Sequence, residues 1–236
     1  MGPCVLRSLS FNVFKGDQIA IVGASGSGKT SLLKLLNRLA DPLEGTLYLD
    51  KIPFPKIPVL SLRQQIMLVS QEPKLLGMTV QEAIQYPLKL KGMPQREIEP
   101  SVNEWIERLH IPRDWLERTE LQMSLGERQW VAITRALVCQ PAILLLDEPT
   151  ASLDVGRQDH LLRLLSELPQ TILMATHHLE FAAQFSGSCG VAPCTNRVLH
   201  LQQGELIQDL MAHQVDWQDL RGAIARIEAE ESAEWD

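Results

Sequence analysis

QIAIVGASGSGKT, Gln18 to Thr30, is an apolar run, a glycine-rich turn and a Lys-Thr pair, in that order. QIAIVG reads as a short buried strand, and TSLLKLLNRL from Thr30 reads as a helix with leucines at 32, 33, 36 and 39. The octet between them, Gly23, Ala24, Ser25, Gly26, Ser27, Gly28, Lys29 and Thr30, has the spacing G-x-x-x-x-G-K-[S/T]. Glycines let the backbone curl so that successive amides point at one anion. Lys29 then reaches the terminal phosphates of a nucleotide, and the Thr30 hydroxyl is offered to Mg²⁺. A strand before and a helix after are the context such a loop needs.

Outward from this stretch, strand and helix patterns alternate. Gly45 to Leu49 and Gln65 to Val69 read as short strands, with Pro53, Pro55 and Pro58 as linkage between them. From Met78 the pattern turns helical, and Pro87, Pro94, Pro100 and Pro112 are expected to break it into short helices, giving an inserted helical subdomain over 78–123. Alternation resumes with a helix from Leu125 to Val138, the strand AILLL, a helix near Val155 to Leu168, the strand TILMAT and a helix near Leu179 to Phe185. Such order predicts an α/β fold, a mostly parallel sheet covered by helices, as one domain over 1–236. SGSCGVAPCTN, Ser186 to Asn196, reads as a loop, and 212–236 as a C-terminal helix with Leu220, Ile224 and Ile227 on one face, followed by an acidic tail.

PAILLLDEPT places Asp147 and Glu148 at the end of a buried strand. Adjacent strand residues point to opposite sides unless the chain bends, so the two carboxylates take different tasks: Asp147 in the Mg²⁺ shell, Glu148 polarising a water for attack on the γ-phosphate. Gln71, after IMLVS, can reach the metal or the water through its amide, and His177, after TILMAT, can hold the γ-phosphate and the water. In ELQMSLGERQW, Ser124 followed by Glu127 has the spacing of a capping box at a helix start.

Composition bounds the partners. At 236 residues with 45% hydrophobic and 22% charged, the chain can bury a sizeable core, and its net charge of −7 disfavours a broad nucleic-acid or anionic-lipid surface. No apolar run is long enough to span a bilayer. The four cysteines, Cys4, Cys139, Cys189 and Cys194, are expected to be reduced cytosolic thiols; the 189/194 pair lacks the nearby His or carboxylates that a metal site needs.

GASGSGKT, SQEP around Gln71, MSLGERQ, ILLLDEPTASLD and ATHH together resemble, in type and order, the ATP-binding cassette ATPases over residues 5 to 210. The resemblance implies a P-loop NTPase with an N-terminal antiparallel β portion. It also implies ATP and Mg²⁺ as ligands and head-to-tail pairing, as a homodimer, in which Ser124, Gly126 and Glu127 of one copy cover the ATP held by the other while Asp154 communicates across the interface. The segment after Gln71 is similar to the region that receives an integral membrane permease, which places the chain on the cytoplasmic face of the membrane with no nucleic acid partner. RQQIMLVSQEPKLLGMTVQEAI is similar to the ATPase subunits of bacterial iron-export systems. The rival readings are a soluble cassette ATPase acting on ribosomes or DNA, and a regulator that binds nucleotide without hydrolysing it. Three departures stand out: Leu125 replaces the first glycine of L-S-G-G-Q; the segment before Gly23 offers Phe11 and Phe14 only as strand or core residues, leaving no aromatic platform for adenine, from which weaker nucleotide affinity or a start placed too late would follow; and the 186–196 loop is longer than usual.

Overall fold

The computed structural model describes residues 5–187 and 195–233. In chain order the first elements are β1 (Gln18–Val22), α1 (Lys29–Leu36), β2 (Tyr48–Leu49), β3 (Ile52–Pro53), α2 (Val59–Gln65), β4 (Ile66–Val69), α3 (Val80–Leu90) and α4 (Gln95–Arg108). There follow α5 (Leu125–Leu137), β5 (Ile143–Asp147), α6 (Val155–Glu167), β6 (Thr171–Ala175), α7 (Leu179–Gly187), β7 (Asn196–Gln202), β8 (Glu205–Met211) and α8 (Trp217–Ala233).

Six strands form one sheet in the order β4-β5-β6-β1-β7-β8, parallel throughout except for the last pair. β1 and β6 are buried at every residue because helices cover both faces of the sheet. The side-chain period of two sorts each strand between two cores: Ala20, Val22, Leu144, Leu146, Ile172 and Met174 pack with α5, α6 and α7, whereas Ile19, Ile21, Leu145, Leu173 and Ala175 pack with Leu32 and Leu33 of α1 and Leu62 of α2. Parallel strands share a polarity, so the carboxyl ends of β1, β4, β5 and β6 lie along one edge. The Gly-rich loop, Gln71, Asp147, Glu148 and His177 follow those ends and are gathered there by topology.

Among the described strands, antiparallel pairing is confined to two hairpins. β2 and β3 are joined by Asp50 and Lys51, both at positive φ, and β7 and β8 by Gln203 and Gly204, also both at positive φ; two-residue turns of this hand suit the twist of the flanking strands. The strand expected from Gly45 is reduced to Tyr48–Leu49, and the proline-linked stretch contains helix α2, which starts directly after Pro58, where a missing N–H costs nothing. Phe14 is not a core residue: it is 66% exposed in the segment before β1, while Phe11 is partly buried against the α1 side of the sheet.

Helices α3 and α4 enter and leave through one point, the antiparallel bridge between Thr79 and Thr119, reinforced by the amides of Val80 and Gln81 donating to Arg118 O and Leu116 O. Two prolines do not act as breakers. Pro87 lies inside α3 and Pro100 inside α4. An interior proline costs about 3 kcal/mol, and the burial of Val80, Ala83, Ile84 and Leu88 on α3, and of Ile98, Val102, Trp105 and Ile106 on α4, offsets it. Trp130 Nε1 donates to Leu109 O at 2.8 Å and fixes the end of α4 to α5. Among the described residues no helix is long and apolar enough to cross a membrane. Cys189 and Cys194, with most of the 186–196 loop, lie outside the described residues, and Cys139 is a buried free thiol.

Candidate active site

The Gly-rich loop is built against the β7–β8 hairpin. Gly23 has φ +154°, and a Cβ there would lie 2.1 Å from Leu201 O and 2.8 Å from Ser27 Oγ, so no other residue fits. Gly28 precedes α1 in the left-handed region and supplies no side-chain cap. The helices α3, α5 and α6 are capped by their own Thr79, Ser124 and Asp154, whereas the first amides of α1 keep their donors for an anion. Lys29 curls back over the loop, with Nζ donating to Gly23 O and Ala24 O at 2.8 Å each and to Ser27 Oγ at 3.4 Å. Burial pushes the Lys29 ammonium below its ordinary range, and the nearby Glu148 and Asp147 oppose that shift.

Thr30 Oγ1 donates to Asp147 Oδ1 at 3.0 Å. Burial raises the Asp147 carboxyl, the Thr30 hydrogen bond opposes the rise, and the charge of Glu148 adds to it. A cation would relieve that site. Among the described residues no cluster of three or more His, Cys, Asp or Glu could hold a metal. Two protein oxygens plus phosphate are the hard ligand set that Mg²⁺ takes, so Thr30 and Asp147 fit it.

At Glu148 the chain leaves the strand, with φ +46°. A left-handed non-glycine residue costs about 1 kcal/mol or more, and the amide of Glu148 donating to Ala175 O at 2.9 Å helps hold it. Glu148 Oε1 lies 2.8 Å from His177 Nδ1 and accepts from the His177 amide at 3.0 Å. Its other oxygen, Oε2, is buried with no hydrogen-bond partner among the described residues. An unpartnered carboxylate oxygen in a buried position is expensive to leave unmade, and a water entering with a substrate would satisfy it.

Gln71 is exposed in the bend after β4, and among the described residues no hydrogen bond ties it to Thr30, Asp147 or Glu148. Ser124 and Glu127 form the expected capping box, with Glu127 N donating to Ser124 Oγ at 3.2 Å and Ser124 N to Glu127 Oε2 at 2.8 Å. Asp154 caps α6 by accepting from Arg157 N at 3.0 Å. Leu125 is the first residue of α5, 43% exposed and in regular helical conformation, so its backbone needs no glycine. Gly126 does: a Cβ there would sit 2.2 Å from the backbone oxygen of Ser152. The Ser124 turn and the 152–154 loop therefore pack as one unit. Gly126→Ala is expected to lower stability by about 1–3 kcal/mol through overpacking, a fall of about 2–12 °C in Tm for a chain of this size, read by thermal unfolding; an unchanged Tm would contradict the contact.

Sequence reasoning did not single out Thr176, fully buried, whose Oγ1 accepts from the His178 amide at 3.1 Å and steers the turn carrying His177. It also missed the Ser152 and Leu201 carbonyls against the two glycines. Thr176 could have been found from its place beside His177; the carbonyl contacts are long-range backbone approaches with no local signature.

The ABC transporter family model matches residues 6–151. An energy-coupling factor transporter ATP-binding protein, EcfA, of Methanothermobacter thermautotrophicus is 32% identical over 216 residues, 88% of this chain and 66% of that protein, so the chain spans just under two thirds of that relative's length. The dimeric ATP-binding cassette MJ0796, in a post-hydrolysis state bound to ADP and Pi, superposes with a TM-score of 0.79 at 27% identity, covering 90% of this chain and 94% of that one. cbiO1 from Clostridium perfringens, part of the ABC transporter complex cbiONQ, superposes with a TM-score of 0.75 at 25% identity, covering 98% and 92%. The iron-export likeness has no counterpart in these names. The Gly-rich loop, the Asp147–Glu148 strand end and the fold agree with this match over more than half the chain, and the protein belongs to the ABC transporter family.

Proposed function

We propose that this chain is the ATPase subunit of a membrane transporter, hydrolysing MgATP between two copies of itself on the cytoplasmic side of an integral permease. The observation that carries the reading is the convergence of the Thr30–Asp147 pair and the Glu148–His177 pair around the uncapped start of α1.

The amides of Gly23 to Thr30 and the Lys29 ammonium bind and orient the phosphates. When bound, Mg²⁺ would neutralise the charge that develops on the phosphates; Thr30 and Asp147, with Gln71, are the residues that would hold it. Glu148 Oε2 accepts the proton of the attacking water. His177 keeps Glu148 Oε1 occupied, fixing which oxygen faces the water, and its ring contacts the γ-phosphate. Ser124, Gly126 and Glu127 of the facing copy complete the cover through the positive end of α5, with Asp154 beside them. ATP bound by one copy and lidded by the other stabilises the closed pair, and hydrolysis releases it. The unit 78–123 leads directly into the covering segment, and Leu220, Ile224 and Ile227 of α8 pack into the core on the α5–α7 side of the sheet.

Phosphate release from MgATP by the purified chain tests the enzymatic part. Steady release that falls to background with excess EDTA is expected; ATP bound without release would support a non-hydrolysing regulator instead. Copurification with an integral membrane protein, insensitive to salt, tests the partner, and salt-sensitive association with ribosomes or DNA would contradict it.

A further inference from the structure

Glu120 opens a short turn, Glu120–Gln122, just ahead of α5. It joins two segments that are far apart in sequence. Its Oε2 accepts from the amide of Leu75 at 2.9 Å, while Oε1 accepts from Arg128 Nη1 at 3.0 Å and lies 3.9 Å from Lys74 Nζ. Arg128 in turn donates its backbone amide to Ser124 O at 3.0 Å. A second tether runs in parallel, Arg135 Nη1 donating to Lys74 O at 2.9 Å.

The loop these bonds hold has an unusual shape. Leu75 is fully buried, whereas Leu76 is at φ +60° and exposed, and Gly77 follows at φ +76°. Two successive left-handed residues reverse the chain, so the Leu75 amide is the last fixed point before the reversal. A neutral acceptor would hold that amide; a carboxylate also pairs with Arg128 and Lys74, which ties the loop to the Ser124 turn. The Leu75 amide, ahead of Arg128 and Lys74, holds the Glu120 carboxyl below its usual range although partial burial opposes this.

We infer that Glu120 is a positioning residue that makes the 71–77 loop and the first turns of α5 move as one body, so that a displacement at either end is passed to the other. The inference rests on the proposed role of the Ser124 segment at a nucleotide interface. Coupling of this kind appears as a response at both ends to a ligand bound at one.

Hydrogen exchange by mass spectrometry on Glu148→Gln, with and without MgATP, supplies that reading. In this parent, MgATP is expected to slow exchange at the phosphate loop, at 124–130 and at 71–79 together. Adding Glu120→Ala is expected to leave the first two responses in place and cut the third at least threefold. Glu120→Gln, which keeps an acceptor for the Leu75 amide but loses the charge, falls between them. Arg128→Met, which removes the far end of the bridge, reads the same loss should either Glu120 variant fold poorly. A full MgATP response at 71–79 in a folded Glu120 or Arg128 variant overturns the inference and leaves the proposed function standing. Absence of any MgATP response in the Glu148→Gln parent overturns the interface reading and this inference with it.

Discussion

Glu148→Gln is expected to lower kcat for phosphate release by about 10²–10⁴-fold, the usual loss when a positioned general base is removed, while MgATP affinity stays within a few-fold of the native chain. The geometry makes the effect specific. Oε1 is occupied by the His177 ring and amide, so Oε2, buried and without a partner among the described residues, is the oxygen left for water. The amide substitution preserves shape and can still accept from the His177 amide, but it removes the basic lone pair. Fold and binding therefore survive and chemistry does not. Steady-state phosphate release and nucleotide titration check the two halves separately; a kcat within about threefold of native would remove Glu148 from the role of base. His177→Ala removes the ring from Oε1 but keeps the backbone amide there and leaves the Glu148 base intact, so it is expected to cost less than Glu148→Gln under this assignment.

Lys29→Met is expected to weaken MgATP binding by about 10–150-fold, the equivalent of roughly 1.5–3 kcal/mol for hydrogen bonds to a charged group. Stability should change little, for a reason visible in the site. The ammonium holds three loop oxygens, those of Gly23, Ala24 and Ser27, and losing it leaves buried acceptors short of a donor. Yet burial already disfavours its charge, so a neutral chain of similar length removes a desolvation cost at the same time. The two terms oppose each other. A large fall in affinity with a Tm shift of no more than a few degrees is the expected pair, read by calorimetric titration and thermal unfolding. A collapse in Tm would mean that the lysine serves the loop's own fold first.

Much of this site is legible in the residues because its logic is local. GASGSGKT carries its own conformational demands, and the strands before Thr30, Asp147 and His177 are apolar runs whose parallel order follows from the helices between them. Once the strands are parallel, their carboxyl ends meet. The positive φ of Glu148 is the bend that strand alternation leaves out: Asp147 meets Thr30 within the strand's end, and the turn at Glu148 brings the second carboxylate to His177. What was not legible depends on distant backbone. Gly126 is fixed by the Ser152 carbonyl and Gly23 by that of Leu201, and neither partner is predictable from spacing. Pro87 and Pro100 mislead for a related reason, since local propensity argues for a break and tertiary burial overrides it. The β7–β8 hairpin went unread although Gln203-Gly204 is a turn pair between two apolar segments, because the loop-like composition of the stretch before it obscured the alternation.

On the proposed function, triphosphate holds two copies of this chain face to face. Light scattering on Glu148→Gln measures it most directly, because blocked turnover lets the closed state accumulate. Addition of MgATP is predicted to double the particle mass from one chain to two, with EDTA or nucleotide removal returning it to one. A mass that stays at one chain under saturating MgATP, and again in the presence of its permease, would contradict the account.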